Sequence, residues 1–485
     1  TLVRYSSEVW SLLWEYAVMS SDEPKPSEPS GTGTGATLPT TPTTAYTEHM
    51  RAETQERSTV LSAPPALEAG EGAPSEWRER LGGLLENLRS ELLELSHDIH
   101  DHPETGWNEH HAMAAVGALL DRHGIAHDDG VFGLETALRA EIGATADGDQ
   151  IPAVAILCEY DALPGIGHGC GHNVMCAQAV GAFLALAAID RELDGGLPGR
   201  VVLQTTPAEE NSTCKEILAR RGAFDGVDAA VMAHSYGYDL TRQTWLGARR
   251  FRVVFTGVPA HASAAPFMGR NALDAAVLAL DGISMLRQQL SPTDRVHAVI
   301  VDGGQVPNII PQRAEVSARV RSKYPETLVD LFRRVSDVFR GAGLMAGVGV
   351  EIIADGSPNE MPVRDNRPLL RSWVRAQRER GREPLPFGVV TESIAAGTDF
   401  GNVSVRLPGI HPLVSVGDES LMLHTREMEE AAGSAAGDAA VLDGAYGLAA
   451  VAADYLDDAR LREQVRADFE AEGGVIDVEE MFRSM

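Results

Sequence analysis

The chain has 485 residues, of which 44% are hydrophobic and 23% charged, and a formal net charge of −29. That length accommodates two or three domains around a large core, with a globular protein's composition. So negative a chain argues against nucleic acid or an anionic membrane as partner, because phosphate would be repelled.

In chain order, the apolar patch 9–18 is broken by Glu15 and preceded by Arg4 alone, a poor signal peptide. Residues 1–19 have the periodicity of a short amphipathic helix, and 21–75 are rich in Ser, Thr, Pro, Gly and Glu. An N-terminal extension over 1–75 is therefore expected to be disordered. Order is expected from Trp77, where Leu81, Leu84, Leu85, Leu88, Leu92 and Leu95 recur at helical spacing up to His102-Pro103. Strands are expected at 153–157, 201–205, 229–232 and 413–416, with a buried helix at 174–189. No uninterrupted apolar run reaches the roughly 20 residues of a membrane span. Alternating strands and helices predict an α/β fold, a central mixed sheet flanked by helices. Residues 247–358 differ: 250–255, 272–289, 296–301, 315–321, 326–339 and 348–353 read as β-α-β-β-α-β. That is the order of a ferredoxin-like α+β unit, inserted as a second domain between 76–246 and 359–485, the latter ending in a helical tail. Four cysteines, at 158, 170, 176 and 214, are no disulfide framework in so long a chain and fit a reducing, cytoplasmic compartment.

Chemistry-bearing side chains gather just past the expected strands. After 153–157 comes EYDALPGIGHGCGHN (159–173), with Glu159, Asp161, His168, Cys170 and His172; after 201–205 come Glu209 and Glu210. His234 follows 229–232, and Asp418 and His424 follow 413–416. Open α/β sheets bind ligands beyond the carboxyl ends of their strands, so these groups are expected to converge. Glycines beside Cys170 and His172 would let both reach one metal-sized space. Glu209 and Glu210, adjacent on an extended segment, point different ways, so one can bind metal while the other takes a proton from water. Cys170 itself reads three ways: a thiolate binding or bridging metals, a nucleophile activated by His172, or a small buried hydrophobe. His261 lies in the inserted domain and cannot share a strand end with the others.

The ordered strings EYDALPGIGHGCGHN, TPAEE, His234, GVPAHAS, GQVPNIIP, GTDFGNVS and IHP followed by His424 resemble the dinuclear-metal aminoacylase/carboxypeptidase family. The form of the first string is similar to the branch of aminobenzoyl-glutamate hydrolase and β-alanyl-lysine-type dipeptidases. The resemblance spans roughly 80–455 and implies a metal-dependent hydrolase of amide bonds in N-acyl amino acids or dipeptides with a free carboxylate. It implies two divalent ions, zinc or alternatively manganese, held by Cys170, His172, Glu210, His234 and His424. It makes Glu209 the general base and Asp161 the group orienting a ligand. His261 would act on the partner's site in a homodimer formed through the inserted domain, and Asn308 and Arg321 would bind the substrate carboxylate. Several branches have His where this chain has Glu159, so that position is left without a role. Two other readings stay open: a thiol hydrolase using Cys170 and His172, and a non-catalytic binding relative.

Overall fold

The structure, a computed structural model, describes residues 43–144 and 151–483. The apolar patch 9–18 and the helix expected over 1–19 lie outside the described residues. Residues from Met50 onward form one compact unit.

The strands in chain order are β1 (His127–Asp129), β2 (Leu138–Gly143), β3 (Ala153–Cys158), β4 (Arg200–Thr205), β5 (Ala229–Val231), β6 (His234–Tyr236), β7 (Gly247–Thr256), β8 (Arg295–Asp302), β9 (Arg313–Ser322), β10 (Gly349–Ala354), β11 (Gly409–Ile410) and β12 (Leu413–Ser415). Six of them form the central sheet in the order β1-β2-β4-β3-β5-β11. β3, β4, β5 and β11 run parallel, and β2 and β1 join antiparallel, so the sheet is mixed. Every residue of β3 is buried, as expected of a strand covered on both faces. The segment 413–416 differs from expectation: β12 pairs with β6, Leu413 opposite His234, in a separate two-stranded ladder.

The central helix His172–Glu192 packs against Ser75–Asp101 and Ala435–Asp457. Gly181 permits this approach, since a Cβ there would lie 2.7 Å from Leu92 Cδ1 and 3.1 Å from Ala445 Cβ. His172–Glu192 and Ala435–Asp457 are long and apolar enough to cross a membrane, yet 94% and 89% of their most apolar windows are buried inside the protein. They are the core of the α/β domain.

Part of the expected N-terminal disorder is corrected. Ala45–Val60 is a helix, and Leu67 and Ala73 are buried beyond it. Arg371 pairs with Glu71, and Arg375 Nη1 donates to the Glu71 carbonyl at 2.9 Å. A few apolar and ionic anchors hold a segment whose average composition is that of a disordered chain.

The inserted domain has the sheet order β10-β7-β9-β8, all antiparallel. Phe251, Val253, Phe255, Val316, Ala318 and Val320 point to one face and pack with helices Ala272–Leu286 and Pro325–Ala346. The alternate residues, including Arg250, Arg319 and Arg321, therefore occupy the opposite face.

Candidate metal and active site

Gly171 adopts φ +72°, and a Cβ there would meet Ser235 Cβ at 2.6 Å. This turn starts the central helix at His172 and brings Cys170 and His172 to the end of β3. His172 Nδ1 donates to the Asp161 carbonyl at 2.8 Å and lies 3.1 Å from Asp161 Oδ1. Its Nε2 is buried with no hydrogen-bond partner among the described residues, 3.4 Å from Glu159 Oε2. Asp161 Oδ2 also accepts from the Glu210 main-chain N–H at 2.9 Å, so one carboxylate ties the β3 end to the β4 end.

The turn carrying Glu209 and Glu210 is strained at Ala208, with φ +58°. The buried Glu109 holds it by accepting from the Ala208 N–H at 2.7 Å. His424 is likewise left-handed, with φ +64°; its N–H donates to the Gly169 carbonyl at 2.9 Å, and its Nε2 lies 3.4 Å from Glu210 Oε2. His234 opens β6, and its Nδ1 donates to the Ser235 carbonyl at 2.7 Å.

Donor atoms of Cys170, His172 and His234 lie within 4.8 Å of one another, and so do those of Cys170, Glu210 and His424. Cys170 belongs to both groups. A third set, His172, Glu209 and Glu210, meets the same distance. Buried His172 Nε2 and Glu210 Oε1 have no hydrogen-bond partner among the described residues, an unusual state for buried polar atoms and the one a bound cation would relieve. Mixed thiolate, imidazole and carboxylate donors suit zinc, so the residues present fit a dinuclear site. Burial, then Glu159, Glu210 and Asp399, push the Glu209 carboxyl well above the ordinary carboxylate range. Burial and then Glu210 do the same to the Cys170 thiol.

A cavity of about 340 Å³ opens onto these groups; Cys170, Glu209, Glu210, His234 and His424 line it together with Arg321 of the inserted domain. His261 and Asn308 are exposed and do not line it. They are neighbours elsewhere on the inserted domain, where the Ala262 N–H donates to the Asn308 carbonyl at 3.0 Å.

Sequence reasoning missed a buried ionic triad beside this site. Lys215, fully buried, pairs with both Glu159 and Asp399, and its N–H donates to Asp399 Oδ2 at 2.9 Å. The two carboxylates hold its ammonium well above the ordinary lysine value against the opposing effect of burial. One signal was available: Lys215 is one of three lysines, with Lys25 and Lys323, in a chain whose other basic residues are Arg. Arg250, Arg295, Arg319 and Glu360, which also line the cavity, carried no such mark.

Comparison with known proteins fits this geometry. The peptidase dimerisation domain family (M20) matches residues 246–343. An Xaa-Arg dipeptidase of Mus musculus is 36% identical over 399 residues, covering 81% of this chain and 92% of that protein. A p-aminobenzoyl-glutamate hydrolase protein of Escherichia coli strain K12 is 27% identical, covering 67% of this chain and 80% of its own. A dinuclear metal-binding peptidase of the M20 family from Bacillus subtilis shares the fold, with TM-score 0.56, 20% identity, and coverage of 76% of this chain and 99% of that one.

Proposed function

Because this chain belongs to the M20 peptidase family, whose members hydrolyse amide bonds of dipeptides or acyl amino acids, we propose that it is a two-metal amidohydrolase acting on substrates with a free carboxylate. The observation that carries the reading is that Cys170 belongs to both ligand groups, as a bridging thiolate does. Cys170, His172, Glu210, His234 and His424 would hold the two ions, zinc by donor chemistry, with manganese the alternative. Bound divalent ions polarise a carbonyl and lower the pKa of a water from about 15.7 to about 7.

The chain's own residues do the rest. Asp161 fixes His172 through Nδ1 and steadies the Glu210 backbone, which holds both donors in place. Glu209, which lines the cavity beside Glu210, takes a proton from the attacking water and delivers it to the leaving nitrogen, acting as general base and then general acid. Arg321 grips the substrate carboxylate with its planar fork. Asn308 and His261 complete the site from a second copy, His261 stabilising the oxyanion. Support for a dimer comes from the free edge of β8, where Val299 and Val301 are 58% and 56% exposed, and from the exposed Met285 on the neighbouring helix.

A Cys170–His172 thiol mechanism is less well supported. It needs an imidazole hydrogen-bonded to the thiol, whereas His172 Nδ1 bonds Asp161 and its Nε2 has no hydrogen-bond partner among the described residues. The test is Glu209→Gln: turnover of dipeptides and N-acyl amino acids should fall by about 10²-fold or more, with metal content retained. Near wild-type turnover in that variant would show that Glu209 is not the base.

A further inference from the structure

We propose that the cavity selects a leaving amino acid bearing a second carboxylate, so that amides of glutamate or aspartate are preferred to those of arginine or lysine. This rests on the amidohydrolase reading and adds the substrate class. The inserted sheet arranges cations in rows. Register places Arg250 opposite Arg319 and His297 on the other side of Arg319; Arg295 lies opposite Arg321 in the next row. Arg319 and Arg321 are two residues apart on β9 and share the cavity face. Like charges directly opposite one another destabilise a sheet, so the array is unfavourable until anions answer it.

Among the described residues that line the cavity, only Glu360 does so at this end. Its Oε1 lies 3.2 Å from Arg250 Nη2, and both its oxygens lie 2.7 Å from Arg319 Nη2. Arg295 spends its side-chain bonds on the carbonyls of Pro292, Asp294 and Ser393, and Arg321 has no carboxylate partner among the described residues. The remaining acids of the lining are committed: Glu209 and Glu210 to the metal end, and Asp399 to Lys215. Four guanidiniums thus face one carboxylate, and the substrate's α-carboxylate offsets only one of the three excess charges. The strain shows in the groups themselves. Burial, then Arg319, press Arg321 down to about 10, and His297 is lowered by burial and then by Arg321, Arg287, Arg295 and Arg319. A C-terminal Arg or Lys side chain would enter as a further like charge. The net charge of −29 does not reverse this, because exposed charges more than about 10 Å away are screened. The inference therefore departs from what the name of the mouse relative says it cleaves.

The test is calorimetric binding of N-acetyl-glutamate, N-acetyl-glutamine and N-acetyl-arginine to the metal-loaded Glu209→Gln protein. Glutamate should bind about tenfold tighter than its neutral isostere, equivalent to one added charge contact of about 1.4 kcal/mol, and arginine weakest. Arg295→Gln in that background should bring the glutamate-to-glutamine ratio toward one, and Arg295→Lys should preserve it. Equal binding of glutamate and glutamine, arginine binding as tightly as glutamate, or no binding of any of the three would overturn the proposal. The order in the parent protein decides the matter even if Arg295→Gln does not fold. Wild-type turnover is read separately: the binding order without cleavage would sink the amidohydrolase reading and leave only the cavity's preference for a second carboxylate.

Discussion

Replacing Lys215 with Met should cost far more than loss of a surface charge. The side chain has no solvent exposure, and its partners Glu159 and Asp399 are 0% and 1% exposed. Removing the cation strands two almost fully buried carboxylates, and breaking one buried pair by deleting a partner typically costs about 3–5 kcal/mol. Against a folding stability of about 5–15 kcal/mol, that is a large fraction. The assay is urea unfolding of metal-loaded wild type and Lys215→Met, compared through the midpoint at constant m. A second arm adds Glu159→Gln and Asp399→Asn to Lys215→Met. Neutralising the stranded carboxylates should recover much of the loss, because the three groups act as one unit and their effects are not additive. A loss below about 1 kcal/mol for Lys215→Met would refute the reasoning, since exposed pairs are worth that little. So would a triple variant less stable than the single one.

Two further outcomes follow from the site. The Glu109 carboxyl is pushed up to about 8, by burial first and then by Asp161. The folded chain therefore retains a proton that the unfolded chain releases above about 4.5, so this group's stabilising contribution is lost as pH rises from about 4.5 to 8. Glu109→Gln, which keeps an acceptor for the Ala208 N–H, should flatten that part of the stability-versus-pH curve; an unchanged slope would show that Glu109 is not the group responsible. If His261 serves the partner's site, mixed dimers of His261→Ala and Glu209→Gln subunits hold one intact site each. Random mixing should then restore roughly a quarter of wild-type activity, and none in demonstrably mixed dimers would rule out the role in trans.

What was legible in the sequence was local chemistry and the rule that strand ends converge. Cys170 and His172 sit in one short string, and the β3, β4 and β5 ends bring Glu209, Glu210 and His234 to it. The ferredoxin-like order was readable because β9 alternates between apolar and polar residues and β7 does so over Arg250–Val253. Register was not readable: nothing in the sequence says that Arg250 faces Arg319, yet that pairing decides the charge of the cavity. Glu159 and Lys215 were hidden for a related reason, because each looks ordinary until the fold brings together positions 56 apart in the chain. The anchoring of Leu67 and Ala73 was masked by the polar composition around them. His424 was placed after a strand of the central sheet, whereas β12 lies outside that sheet and a left-handed residue turns the loop back to Gly169.

The central claim is that one thiolate serves two ions, and metal stoichiometry tests it most directly. Elemental analysis of the purified, metal-saturated protein should find two divalent ions per chain in wild type and less than one in Cys170→Ala, because both donor groups lose the same sulfur. One ion per chain in wild type, or two retained in Cys170→Ala, would contradict the account.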